Sequence, residues 1–366
     1  MSIEKIKIVY LGKYTNEILN GPAKFSLKLF KNILVKNDAV FVEYFFKYYT
    51  GSNVIKRLFG KNILSVKPSV FRFGHVRLLF YLIKERPNII HILSAERYTI
   101  LVLLYKFIVG SKIVTTFHSV LKFEIPNNSQ KKKQLNRYKD YVWERLALKL
   151  SDKTIFLAKS HLTLAEKYYK INKNKVIVIP NGVESEFVNK EKKIKIDNLL
   201  KVVFYNGNND FIDRGLEEIL KLLRYSNFRM RLYIIGNRIN INDAGIEMEF
   251  VNPMKKSELI NFLVDKHVLI KSSSFDSFSI FSVECMAAGL IVVLSNNVGS
   301  SAFIKHGENG FVYDYKEPGR VKDILSDIYF HKYNLKAISV RAQKIINELG
   351  WETISKKYIN CYKELL

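Results

Sequence analysis

Cysteine is nearly missing from this chain: there are two in 366 residues, Cys285 and Cys361. That pair gives neither a zinc-ligand spacing nor a disulfide framework, and its scarcity fits a reducing compartment. Long apolar runs are missing as well. The most apolar stretch, Ile100 to Val109, is about half of what a membrane-spanning helix needs, and Lys106 interrupts it. No transmembrane helix is expected. The opening MSIEKIKIVYLG lacks the basic start, long apolar core and small-residue cleavage site of a secretory signal. Acidic residues are few, 34 against 59 Lys and Arg, which leaves a net charge of +25. No Walker loop, zinc pattern or G-x-G-x-x-G occurs, and no short-period repeat or low-complexity tract.

What is present is length, apolar residues and positive charge. A single core rarely grows beyond about 250–300 residues, so 366 residues predict two domains. Hydrophobic residues form 48% of the sequence, enough for ordinary packed cores. The basic excess attracts anions: phosphorylated small molecules, an anionic membrane surface or nucleic acid. The one dense run is Lys131-Lys132-Lys133. Tyr and Phe, 21 and 25 in number, fall in apolar periodic runs and not beside basic clusters, so nucleic acid is not the expected partner.

Short apolar runs alternate with helical stretches along the whole chain. Strand-like runs at 6–11, 39–45, 88–93, 112–117, 153–158 and 175–179 are separated by helical segments at 23–36, 75–86, 97–109, 134–150 and 160–170. Pro180-Asn181-Gly182 marks a turn, and a polar Lys/Glu-rich stretch follows. The alternation then restarts: strands at 200–207, 231–236, 267–272 and 290–295, helices at 214–225, 255–264 and 280–288. Helical stretches at 318–330, 335–348 and 352–366 close the chain. This pattern predicts an α/β chain of two Rossmann-like, doubly wound domains facing a central cleft. The expected division is 1–183, a linker at 184–199, 200–350, and a last helix at 351–366 crossing back to the first domain.

The stretch Ser272 to Ser295, SSSFDSFSIFSVECMAAGLIVVLS, carries the most chemistry. A polar loop containing Asp276 leads from a strand into a helix expected to be amphipathic, with Ile280, Val283, Met286 and Ala287 inward. The first N–H groups of a helix lack internal partners and favour anions, so Ser277, Ser279 and nearby backbone could cradle a phosphate. Glu284 suits the two hydroxyls of a ribose. Taken singly, an acid near a helix start is more often a cap or a dipole partner.

The whole string resembles the signature of the family 4 retaining glycosyltransferases of GT-B fold. Asp276-Ser277-Phe278 and Glu284-Cys285-Met286-Ala287-Ala288-Gly289, with seven residues between Asp276 and Glu284, keep the family's spacing. Asp276 stands where the family usually has Glu, and Cys285 where it has Ala. The likeness extends to Asn297-Val298-Gly299-Ser300 and to Ile304–Val312. It includes Pro180-Asn181-Gly182-Val183, and Phe204 to Gly215, where Arg214-Gly215 matches a Lys-Gly pair. Asn208, after Gly207, stands where the family usually has Arg. In the first half, Gly21 matches one residue of a Gly-rich loop, and Thr116-Phe117-His118 matches a Thr-x-His at a strand end.

The resemblance implies a retaining glycosyltransferase that uses a nucleotide-diphosphate sugar, a UDP-sugar above all, with no metal and no cofactor. It implies His118 and Asp276 as catalytic residues, and Gly21, Gly207, Arg214, Phe278, Ser279 and Glu284 as donor-binding residues. The expected acceptor is a glycan or a lipid-linked precursor in bacterial surface polysaccharide or lipopolysaccharide synthesis. The expected location is cytoplasmic, peripheral to the inner face of an anionic membrane through the stretch 107–139. A sugar-nucleotide epimerase and an inactive donor-binding homologue are the alternatives on the same fold.

Overall fold

The computed structural model describes residues 6–12, 21–36, 40–47, 64–67, 70–125, 131–207, 215–236 and 245–366. Apolar strands that alternate with helices bury both faces by forming parallel sheets covered by helices, and two such sheets are present. The first contains β1 (Ile6–Gly12), β2 (Val40–Lys47), β3 (Leu64–Lys67), β4 (Val70–Phe73), β5 (Ile89–Ile92), β6 (Lys112–Thr116), β7 (Lys153–Phe156) and β8 (Val176–Val178). Its order is β3-β4-β2-β1-β5-β6-β7-β8, parallel throughout except for β3 with β4. The second contains β9 (Leu200–Gly207), β10 (Met230–Gly236), β11 (Glu247–Val251), β12 (Val268–Lys271), β13 (Ile291–Ser295) and β14 (Phe311–Tyr313). Its order is β11-β10-β9-β12-β13-β14, parallel throughout.

The expected architecture of two doubly wound units is therefore what the chain forms. The alternation does not predict β3, β4, β11 or β14. These are three to five residues long and lie at or next to sheet edges, where a continuous apolar run is not required. The helix expected over 335–348 is two, Leu335–Gln343 and Ile345–Leu349.

Topology fixes where a ligand sits. In the first sheet the winding direction reverses between β1 and β5, and in the second between β9 and β12. Crevices open at such switch points, outside the carboxyl ends of the strands. The loop after β12 carries Asp276, and β9 ends at Gly207.

The chain passes between the two sheets at two places that touch. Val183 forms a backbone bridge with Gly350, and the Val183 N–H donates to the Leu349 carbonyl at 2.7 Å. The stretch between the sheets is polar in composition but anchored. Phe187 is buried, and Lys192 Nζ donates to the carbonyls of Leu263, Val264 and Lys266 at 2.9, 2.6 and 2.5 Å. That ammonium satisfies the end of the helix Lys256–Leu263. The last helix, Trp351–Lys363, buries Trp351, Ile354, Tyr358 and Tyr362. One apolar cluster runs from Ile8 and Phe25 through Trp351 and Tyr358 to Met286, so the core is continuous across the two sheets.

Candidate active site

The Ser272–Ser279 loop is held from several sides. Lys271, the last residue of β12, is buried, and its ammonium lies 3.1 Å from Asp276 Oδ2 and 5.0 Å above the Tyr205 ring. Asp276 Oδ1 accepts the Phe278 N–H at 3.1 Å. The Gly299 N–H donates to the Asp276 carbonyl and the Ser300 N–H to the Phe278 carbonyl, both at 2.8 Å. Both oxygens of Asp276 thus have partners, and its backbone is clamped to the loop after β13.

One expectation about this segment needs correction, the amphipathic helix. Phe278, expected among the donor-binding residues, lies on the loop before that helix. It is buried, edge-on to Phe303 at 6.2 Å, and its N–H is taken by Asp276, so it supports the loop from inside. The helix Ile280–Ala287 is not amphipathic: every residue from Phe281 to Ala287 is buried, because the helix lies between the sheet, the helices at 335–349 and the turn at Ser185–Phe187. Ser279, immediately before it, has φ +67°. That conformation costs a non-glycine residue about 1–3 kcal/mol and clusters at ligand sites. Its hydroxyl lies 2.7 Å from that of Ser282.

Glu284 is 3% exposed. Lys24 Nζ donates to its Oε1 at 2.5 Å from the helix Gly21–Lys36 of the other domain. Burial pushes its carboxyl above the usual range, against the pull of Lys24. A small pocket opens here, walled by Lys24, Lys28, Glu184, Ile280, Glu284 and Trp351, among others. Lys28 pairs with Glu184, and Lys256 pairs with the same carboxylate at 3.1 Å. Lys24 and Lys28 were not foreseen: they follow Gly21 in sequence, but their partners lie 260 and 156 residues away.

His118 follows β6 and is half-buried, its ring edge-on to Phe25 at 4.9 Å. Phe25 also walls the Lys24–Glu284 pocket, so His118 stands one side chain away from it. The loop around His118 is stitched to buried acids. Ser119 Oγ donates to Glu144 Oε1 at 2.9 Å, the Leu121 N–H to Oε2 at 3.1 Å, and the Tyr169 hydroxyl to Oε2 as well. Burial, reinforced by Glu124, pushes the Glu144 carboxyl up to about 8. The Glu124 Oε1 in turn accepts the Val120 N–H at 3.1 Å. His91 is structural, as its place in a buried strand suggests. It is bonded to Tyr362 and Thr116 at 2.7 and 2.8 Å, and burial lowers its pKa to about 3.

Gly21 is the first residue of its helix, and among the described residues nothing beyond its chain neighbours and its own helix backbone lies within 4 Å of where a Cβ would sit. Gly207 ends β9 opposite Gly236. Arg214 and Asn208 lie outside the described residues. Gly215 is described: with φ +69° it lies so close to Ser272 that a Cβ would stand 2.8 Å from the Ser272 carbonyl oxygen. The chain after Arg214 therefore touches the start of the Asp276 loop.

Phe275 joins the domains. It belongs to the second, yet it is buried in a cluster with Phe117, Val120, Phe156, Ala165 and Tyr169 of the first. It meets Phe123 edge-on at 5.6 Å and His161 at 6.0 Å. Among the described residues no group of three or more His, Cys, Asp or Glu could hold a metal ion, and no helix is long and apolar enough to cross a membrane.

Residues 44–187 match the family described as Glycosyltransferase Family 4, and residues 188–342 match Glycosyl transferases group 1. A protein of Klebsiella pneumoniae, described as an uncharacterized 41.2 kDa protein in the cps region, is 24% identical over 217 residues, 55% of this chain and 60% of that protein. The chain thus aligns with about three fifths of the length of that curated relative. Among solved structures, the lipopolysaccharide outer core galactosyltransferase WaaB superposes with a TM-score of 0.72 at 14% identity, over 98% of this chain and 100% of that one. Anabaena HepE in complex with UDP and glucose does so with a TM-score of 0.70 at 16% identity, over 98% and 100%. At these identities the superpositions establish the fold, two Rossmann-like domains of GT-B type. The family matches run through both domains and span the Asp276 to Gly289 string, and the chain belongs to the family 4 glycosyltransferases of GT-B fold.

Proposed function

We propose that the protein is a retaining, metal-independent hexosyltransferase. It moves a sugar from a UDP-sugar to a glycan or lipid-linked acceptor during assembly of a bacterial surface polysaccharide or lipopolysaccharide. The observation that carries this reading is Glu284, a buried carboxylate that opens on the interdomain pocket one turn into the helix following the Asp276 loop. A buried acid is costly unless partners hold it, and two ribose hydroxyls are such partners. The solved complex of HepE with UDP and glucose supports the donor class. WaaB and the cps-region protein support a surface-glycan acceptor.

In this reading Glu284 fixes the ribose. Asp276, oriented by Lys271 and the Phe278 N–H, orients the sugar. Arg214, Gly207 and the strained Ser279 turn at the helix start stabilise charge that grows on the departing nucleotide diphosphate. Gly21 lets the first domain approach that diphosphate. His118, at a strand's carboxyl end, lies beside the reacting carbon or the acceptor.

A membrane-bound acceptor is supported by one face of the first domain. Phe80, Ile100, Leu104, Phe107, Ile108, Tyr138 and Val142 are all exposed, Phe107 at 83%, on the helices His75–Glu85, Thr99–Val109 and Lys131–Leu150, the second of which touches the other two. The same helices and their ends carry exposed Lys84, Arg86, Arg145 and Lys149. Apolar residues among cations suit an anionic lipid surface, where each cation contributes about 1 kcal/mol. In liposome flotation the chain binds anionic but not neutral vesicles, and Phe107→Asp releases it. Equal recovery with both vesicle types refutes the membrane contact.

The donor site is tested by thermal shift with UDP, GDP, CDP and ADP and their sugars on the wild type and Glu284→Ala. A ligand at 100 times its dissociation constant stabilises the fold by about 2.7 kcal/mol. UDP is expected to raise the wild-type melting temperature, and the variant to lose the shift. No shift with any nucleotide or nucleotide sugar would leave an inactive homologue in place of the transferase.

A further inference from the structure

Two charges of opposite sign, one from each domain, meet in the pocket between the sheets: Lys24 and Glu284. We propose that Lys24 is a donor-binding residue that exchanges partners, giving up Glu284 to the ribose and taking the diphosphate. This rests on the transferase reading above and names which group of the first domain meets the donor's charge.

The geometry leaves the ammonium few choices. Glu284 is buried, and its Oε1 is occupied by Lys24. A ribose that engages both carboxylate oxygens displaces that ammonium. The other acid in the pocket wall is Glu184, whose Oε1 already serves Lys28 and Lys256 and whose Oε2 is buried. Ile280, the first residue of the helix, lines the same pocket. It lies about 6 Å along the helix axis from Glu284. That is the helix end where an anion is favoured. A lysine stem of four methylenes spans this distance by rotation about its own bonds. Lys24 is on the first turn of its helix and partly exposed, so it is free to swing.

The exchange has a consequence for selectivity. A nucleoside that takes Glu284 strips Lys24 of its carboxylate and offers nothing in return. A nucleoside diphosphate replaces that carboxylate with a stronger anion. The pocket therefore favours diphosphates over nucleosides by more than a fixed cation would.

Calorimetric titration of the full chain with UDP, GDP, CDP and ADP, and with the matching nucleosides, tests this. The tightest pair is then carried to Lys24→Met and Lys24→Arg, whose folding is checked by circular dichroism. In Lys24→Met the diphosphate affinity is expected to fall by about 10- to 100-fold, the worth of a charge-assisted hydrogen bond. Nucleoside affinity holds or rises, and Lys24→Arg keeps the diphosphate preference. Glu284→Gln, which releases the ammonium, binds inorganic pyrophosphate more tightly than the wild type. A diphosphate-to-nucleoside ratio in Lys24→Met within about twofold of the wild type overturns the proposal. So does Glu284→Gln binding pyrophosphate no better. If Lys24→Met fails to fold, the pyrophosphate titration decides. If the wild type binds no nucleotide, the donor site itself is refuted, and the partner exchange with it.

Discussion

The hydroxyl of Tyr362 lies 2.8 Å from that of Tyr10, across 352 positions of sequence, and ties the last helix to the first strand. The same oxygen is 2.7 Å from His91 Nδ1, and all three side chains are fully buried. Tyr362→Phe keeps the ring and removes the shared partner. Leaving buried polar groups unsatisfied costs about 1–3 kcal/mol. Urea unfolding is expected to show a loss of that size with an unchanged slope, and a midpoint equal to the wild type would refute it.

Glu144 makes stability depend on pH in an unusual direction. Its carboxyl is raised from 4.5 to about 8, so between those values the folded chain holds a proton that the unfolded chain has lost. The stability this group contributes is fully present below about pH 4.5 and falls as pH rises toward 8. Glu144→Gln mimics the protonated form and can still face Ser119, Leu121 and Tyr169. Denaturation midpoints from pH 5 to 8 should fall more steeply for the wild type than for this variant. Parallel curves would refute the assignment.

Asp276 is proposed to orient the sugar, so neutralising it should affect turnover more than binding. Asp276→Asn is expected to lower transfer by about 10²-fold, the scale of a misplaced reacting group. It should retain the thermal shift given by the free nucleotide. An equal loss in both measurements would make Asp276 a binding residue only.

Gly299 has no room for a side chain. A Cβ there would collide with the Ser277 carbonyl and come within 2.9 Å of Ala158 in the other domain. Gly299→Ala must displace the backbone next to Asp276. A cost of about 1–3 kcal/mol is expected from overpacking, together with a lower turnover. Wild-type stability and rate together would show that the loop has slack.

Much of the fold was legible because a parallel sheet writes itself locally. The buried runs at β12 and β13 are continuous and apolar, and turn residues bound them. The edge strands β11 and β14 left no such mark. For the site, the string from Asp276 to Gly289 identified the family by its spacing. The string could not reveal that Phe278 points inward or that its helix is buried on every side, because periodicity records one covered face and not the neighbours on the others. Lys24, Lys271 and Glu144 escaped for a related reason. A lysine is ordinary in so basic a chain, and only tertiary pairing with Glu284, Asp276 or the loop after His118 distinguishes one from the next.

Phe275 has a wider consequence. Its ring is housed by one domain and its backbone by the other, one residue before Asp276. A cleft that gaped would uncage that ring, slacken the loop behind it and leave the acid without aim. Under the proposed transferase reading, a sugar donor in an open cleft would then be surrounded by water but lack the acid proposed to orient it. That coupling would confine bond breaking, and with it wasteful hydrolysis, to the arrangement in which the two halves meet.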